Sequence, residues 1–209
     1  MNTIRENNFE TVFWHELGHF VAYTICYEEF KILRVGRIKF FQKKGTDSID
    51  AGIIYGAIPK DQGIDYDRGS IPERITTTLY GCIFESIFTE KDFETCFHSV
   101  PALKDKQSFL DESGSYSKKI EHITVKYAAN LRFKEYFNQL NFNNFLPFFD
   151  DFDEEENQIV YYIEEAEVTK LELILQQFLK EHKSDYLQFL QSVRTIMNWD
   201  TKPIPMIYD

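Results

Sequence analysis

Three side chains near the start of the chain have the types and spacing for metal chemistry. His15, Glu16 and His19 form the pattern His-Glu-x-x-His within residues 11–23. On a helix, residues four apart lie about one turn apart on one face, so both imidazoles reach a single ion and Glu16 falls beside it. Two such histidines, one further protein ligand and an open fourth position make a hydrolytic Zn²⁺ site. Zinc there activates water and polarises a carbonyl, and the glutamate takes the proton and returns it to the leaving amine. The expected cofactor is therefore Zn²⁺, the catalytic group Glu16, and the reaction hydrolysis of peptide bonds in a polypeptide substrate.

The elements that must position these groups follow from periodicity. Phe13, Leu17, Phe20, Val21 and Ile25 recur at helical spacing, with Asn7 or Asn8 as the expected cap. Residues 31–41 and 49–58 read as two strands joined by a turn over 42–47, with Gly52 and Gly56 marking an edge strand to which a peptide can add. Residues 59–69 read as a surface loop, and Ser70 with Glu73 three residues on signals a helix running to about Thr89. Glu85 lies among Ile83, Phe84, Ile87 and Phe88, where a carboxylate needs a partner; it is a candidate ligand or the acceptor that orients a ligating histidine.

Residues 91–114 read as irregular, with His98, Asp105, Asp111 and Glu112 as candidate donors that lack diagnostic spacing. A helix is expected from Ser115 or Ser117 through Leu131, ending at 138–144, with His122 on its first turns. The acidic run 150–156 reads as a solvated segment. Two closing helices, on Leu171 to Leu179 and on Tyr186 to Met197, are expected as an antiparallel pair joined around residues 183–185, followed by an extended tail at 202–205. The fold class is mainly α with a small β-sheet (α+β), divided into a zinc-peptidase-like region over 1–145 and a C-terminal helical region over 146–209 packed on the same domain.

Composition bounds the partners. The chain has 209 residues, a net charge of −11 and 43% hydrophobic residues, enough for a packed core and the wrong sign for nucleic acid. The N-terminal residues are polar and no apolar run reaches the roughly 18 residues of a membrane span. Cys26, Cys82 and Cys96 form no C-x-x-C pair, which points to a reducing, cytoplasmic setting.

The order of these blocks resembles the proteolytic domain of the FtsH-type ATP-dependent zinc peptidases. Trp14 to Phe20, Leu33 to Ile38, Gly52 to Ile58, Gly81 to Glu85 and Ser113-Gly114-Ser115 occupy the places of that family's motif helix, strand pair, glycine-glutamate helix and serine-glycine helix start. The resemblance covers roughly residues 9–135 and implies zinc on His15 and His19 with an aspartate as third ligand. The family aspartate falls near Lys118, so Asp111, just ahead of that helix, is the first choice for the third ligand, with Glu85, His122 and Asp105 behind it. One glycine of the family pair is missing, Phe84 stands for an alanine, and there is no ATPase module, so a separate unfoldase or adaptor is an expected partner. Soluble ImmA-type peptidases share His-Glu-Leu-Gly-His. Two further readings stand beside the enzyme: a metallopeptidase fold with weak or no catalysis that serves as a binding or regulatory module, and a helical interaction protein with no metal.

Overall fold

The computed structural model describes residues 3–32, 34–43, 45–46, 49–56, 69–99, 102–129, 142–145, 153–155 and 158–199. The motif lies in the middle of a helix of 28 residues, α1 (Thr3–Phe30). Its start at Thr3 leaves Asn7 and Asn8 inside the helix, so neither caps it. Phe13, Trp14, Leu17, Phe20, Val21, Ala22, Ile25 and Cys26 are all buried, and apolar groups around its whole circumference make α1 the central helix of the fold. Each large apolar side chain so buried contributes about 1.5–3 kcal/mol.

Two antiparallel strands follow, β1 (Val35–Lys43) and β2 (Ile49–Tyr55). Ile38, Phe40 and Gln42 are buried while Arg37, Lys39 and Phe41 are partly exposed, the alternation of a strand with one face on the core. The strand pair was legible, but β2 stops at Tyr55, leaving Gly56 just outside it. Strands β3 (Asp153–Glu155) and β4 (Gln158–Ile163) complete an antiparallel sheet of order β2-β1-β4-β3. The sheet rests on the first half of α1, where Phe9 packs on Phe40 with ring centroids 5.1 Å apart and on Tyr161 at 5.6 Å. Among the described residues β2 has a free edge.

Helix α2 (Ile71–Thr89) runs antiparallel to α1 in close contact. Trp14 stacks on Phe88 at one end of the contact with centroids 3.7 Å apart, and His19 meets Thr77 nearer the other. Gly18 permits the approach: a Cβ there would come within 2.2 Å of the Tyr80 carbonyl oxygen. Ser70 stands at the N-cap as the sequence predicts, but its hydroxyl makes no capping bond, and Glu73 is committed to Arg194.

The stretch expected to be irregular holds two helices, α3 (Phe93–Phe97) and α4 (Leu103–Ser113). Asp92 caps α3 by accepting the Thr95 N–H at 2.7 Å. Only Phe109 and Ser113 of α4 are buried. Leu103 and Leu110 are exposed, and the helix is held by Phe109 against Phe97, with centroids 5.3 Å apart, and by Arg74 Nε donating to Glu112 at 2.8 Å. After a 3₁₀ turn, Gly114–Tyr116, comes α5 (Ser117–Ala128). The expected continuation through Leu131 to 138–141 falls outside the described residues, as do most of the 59–69 loop, most of the acidic run and the 202–205 tail.

The closing helical pair is one helix, α6 (Glu165–Ile196), of 32 residues. Residues 183–185 contain no proline or glycine, and the buried stripe runs through them from Phe178 and Leu179 by way of His182 to Tyr186 and Phe189. The polar triplet marks only the outward side of a continuous helix. This C-terminal region shares the core with the rest: β4 pairs with β1, and α6 packs on α2, where Tyr80 meets Tyr186 at 4.9 Å between centroids. No helix among the described residues is long and apolar enough to cross a membrane.

Candidate metal centre

On α1, His15 and His19 face α2 and α4, their ring centroids 4.8 Å apart and their planes at 75°. Each ring is anchored at Nδ1 by an acceptor on α2: His15 meets Glu85 Oε2 at 3.0 Å, and His19 meets the Thr77 carbonyl oxygen at 2.8 Å. Anchoring at Nδ1 turns both Nε2 atoms to one point, the arrangement in which a neighbour fixes the ring orientation of a metal ligand. There they meet Asp105 Oδ2, at 2.7 Å from His15 and 3.1 Å from His19. Asp105 lies in the first turn of α4, where the positive end of the helix dipole favours a carboxylate.

The three donor atoms lie within 4.8 Å of one another. In a tetrahedral zinc site, donors about 2.0–2.1 Å from the ion are roughly 3.3 Å apart, so the Asp105 contacts, at 2.7 and 3.1 Å, would open to admit an ion between the three groups. Space for the ion comes from Gly81 on α2. A Cβ at that position would lie 2.5 Å from His19 Nε2 and 2.6 Å from His15 Nε2, so only a glycine leaves both nitrogens uncovered on that side. The residues present fit a small divalent cation.

Electrostatics agree with a site that seeks positive charge. Burial works against a proton on His15, but hydrogen bonds to Asp105 and Glu85 and the fields of Asp105 and Glu16 outweigh it and raise the group to about 10. His19 is raised too, burial being outweighed by the field and hydrogen bond of Asp105. For Asp105, burial is outweighed by the field of His19 and hydrogen bonds from both rings, which hold its carboxyl well below the usual range. Burial raises Glu16, with the two histidines pulling the other way.

Glu16 is 6% exposed and makes no hydrogen bond among the described residues. It lines, with His15 and Asp105, a cavity of about 50 Å³ whose further walls are Ile49, Asp50 and Ala51 on β2 and Lys104 on α4. Glu16 thus borders, beside His15, a space in which a reacting group could sit.

The structure places His15, His19, Glu16 and Glu85 close together, with Glu85 against His15 Nδ1. The carboxylate it places against the two histidines is that of Asp105, not the expected Asp111. Six residues along a helix correspond to about 240° of rotation and 9 Å of rise, and Asp111 lies exposed, accepting from Gln107 Nε2 at 2.7 Å. His122 is exposed on α5, His98 contacts Lys106 and Glu121 at the surface, and Glu112 is held by Arg74. The Thr77 carbonyl and the gap at Gly81 were missed; the single glycine in the α2 stripe was the available signal. No family model matches the chain, and no curated protein or solved structure is significantly similar to it.

Proposed function

We propose that the chain is a zinc-dependent peptidase that cuts polypeptides internally. One observation carries the reading: two imidazoles and a carboxylate meet beside Gly81, next to the buried carboxylate of Glu16, which makes no hydrogen bond among the described residues. His15, His19 and Asp105 would hold the ion, and Zn²⁺ bound there would supply Lewis-acid polarisation of the scissile carbonyl and a water acidic enough to attack near neutral pH. Glu16 takes the proton from the attacking water and passes it to the leaving amine. Glu85 and the Thr77 carbonyl keep the histidines aimed. The edge of β2, unpaired among the described residues and with its first residues lining the cavity, offers backbone groups for an extended chain to pair with. The resemblance to FtsH-type peptidases belongs to this reading and rests on the motif helix, Gly81 and Glu85. Free, buried cysteines are in keeping with a cytoplasmic setting.

The test is Glu16→Gln. The variant retains one zinc per chain by metal analysis and loses hydrolysis of a denatured protein by about 10²-fold or more; unchanged turnover removes Glu16 from the mechanism. A second reading, a zinc-holding binding or regulatory module, draws on the cavity of about 50 Å³, well below the roughly 300 Å³ at which ligand pockets begin. Stoichiometric zinc in the unsubstituted chain with no turnover of any unfolded substrate favours that module.

A further inference from the structure

An ion pair links β2 to α4 across the walls of the cleft. Asp50 on β2 and Lys104 on α4, the residue before Asp105, both line the cavity that holds His15 and Glu16, and Lys104 Nζ donates to Asp50 Oδ2 at 2.6 Å. Asp50 is oriented by its other oxygen, which accepts the Ala51 N–H at 3.0 Å. Lys104 is loosely held: its side chain is 77% exposed and that of Asp50 44%. Pairs this open to water shift an equilibrium by no more than about fivefold, so an incoming cation can take the lysine's place.

The surrounding charge decides which of the two residues recognises substrate. With zinc bound and the imidazoles neutral, Glu16, Glu85, Asp50 and Asp105 set four carboxylates around the cavity, faced by one ammonium and one divalent ion. An acidic group approaching Lys104 meets that net negative lining, whereas a basic group approaching Asp50 is attracted by it. The whole chain carries −11, which draws cationic partners toward it.

We propose that Asp50 selects polypeptide substrates with a lysine or arginine side chain next to the bond that is cut, and that Lys104 holds this position until such a side chain displaces it. The inference rests on the peptidase reading above and names the substrate class of the same site.

The experiment uses the full chain carrying Glu16→Gln, loaded with zinc, and measures binding of three peptides identical except for one Arg, Gln or Glu, placed in turn at each position along the peptide. At the position that reaches Asp50, the Arg peptide is expected to bind about two- to fivefold tighter than the Gln peptide and the Glu peptide more weakly still. Asp50→Asn abolishes this order, Asp50→Lys reverses it, and Lys104→Gln enlarges the preference for Arg because its competitor is gone. Equal binding of the three peptides at every position, or a preference for Arg that survives Asp50→Asn, overturns the proposal while leaving the peptidase reading intact. If zinc is held but no peptide binds, both fall together.

Discussion

Replacing Gly81 with alanine tests the metal centre at the point where its geometry is least forgiving. The added Cβ would meet His19 Nε2 at 2.5 Å, His15 Nε2 at 2.6 Å and His19 Cε1 at 2.7 Å. Comfortable contact between such atoms begins near 3.5 Å, so the overlap is about 1 Å on both rings at once. The rings can yield only by swinging off the Glu85 and Thr77 acceptors that aim them, and both Nε2 atoms then cease to converge. Loss of one orienting partner alone weakens metal binding by about 10–100-fold, so displacing both ligands should cost at least about 100-fold.

The effect on folding is expected to be much smaller. Overpacking costs about 1–3 kcal/mol, offset by about 1 kcal/mol from removing a glycine inside a helix, for a net loss of about 0–2 kcal/mol. Calorimetric zinc titration and urea unfolding separate the two quantities. Gly18→Ala supplies the contrast, because its Cβ would strike the Tyr80 carbonyl oxygen at 2.2 Å. Backbone there must move, so stability falls by about 3 kcal/mol or more. A Gly81→Ala protein that binds one zinc with unchanged affinity would show that the two histidines do not share an ion, and the reasoning would fail.

Asp105→Asn should lose zinc binding by at least about 100-fold, whereas Asp111→Asn, at an exposed position, should leave affinity unchanged and stability within about 0.5 kcal/mol; the opposite pattern would restore Asp111 as the ligand. Glu85→Gln keeps an acceptor for His15 but removes its charge, and zinc affinity should fall about 10–100-fold with little change in fold by circular dichroism. His182 is buried and held down at about 3, against 6.5 when exposed. Above pH 6.5 both states are neutral and its contribution is complete; as the pH falls toward 3 only the unfolded chain takes up the proton, so stability declines by up to about 5 kcal/mol. Urea unfolding at pH 7 and 4.5 should show about 3 kcal/mol of this loss, and His182→Gln should remove that part; an identical pH slope in the variant would refute it.

What was legible in the sequence was local. His15, Glu16 and His19 declare themselves because helix geometry alone sets their spacing, and β1 because its side chains alternate between core and solvent. Glu85 was found from its apolar neighbours, since a buried carboxylate implies a partner. The errors come where position depends on contacts distant in sequence. Helix α4 was missed because its only buried groups are Phe109 and Ser113, too few for a periodic stripe, and with α4 unread nothing distinguished Asp105 from Asp111. The break assigned within α6 followed the polar residues 183–185 and overlooked His182, a buried histidine that continues the apolar stripe.

The same distinction explains why the site is built as it is. A single helix can align two imidazoles but cannot stop their rings from turning, and it cannot supply a third ligand on the same side. Both tasks fall to α2 and α4: α2 fixes the rings through Glu85 and the Thr77 carbonyl, and makes room with Gly81. Arg74 ties α4 to α2 through Glu112, so the helix that carries Asp105 is held on the helix that aims the histidines. Cutting that tie with Arg74→Gln should leave the two imidazoles oriented but loosen Asp105, and zinc should bind more weakly and dissociate faster to a competing chelator. If the release rate is unchanged, the Arg74 link carries no part of the metal site.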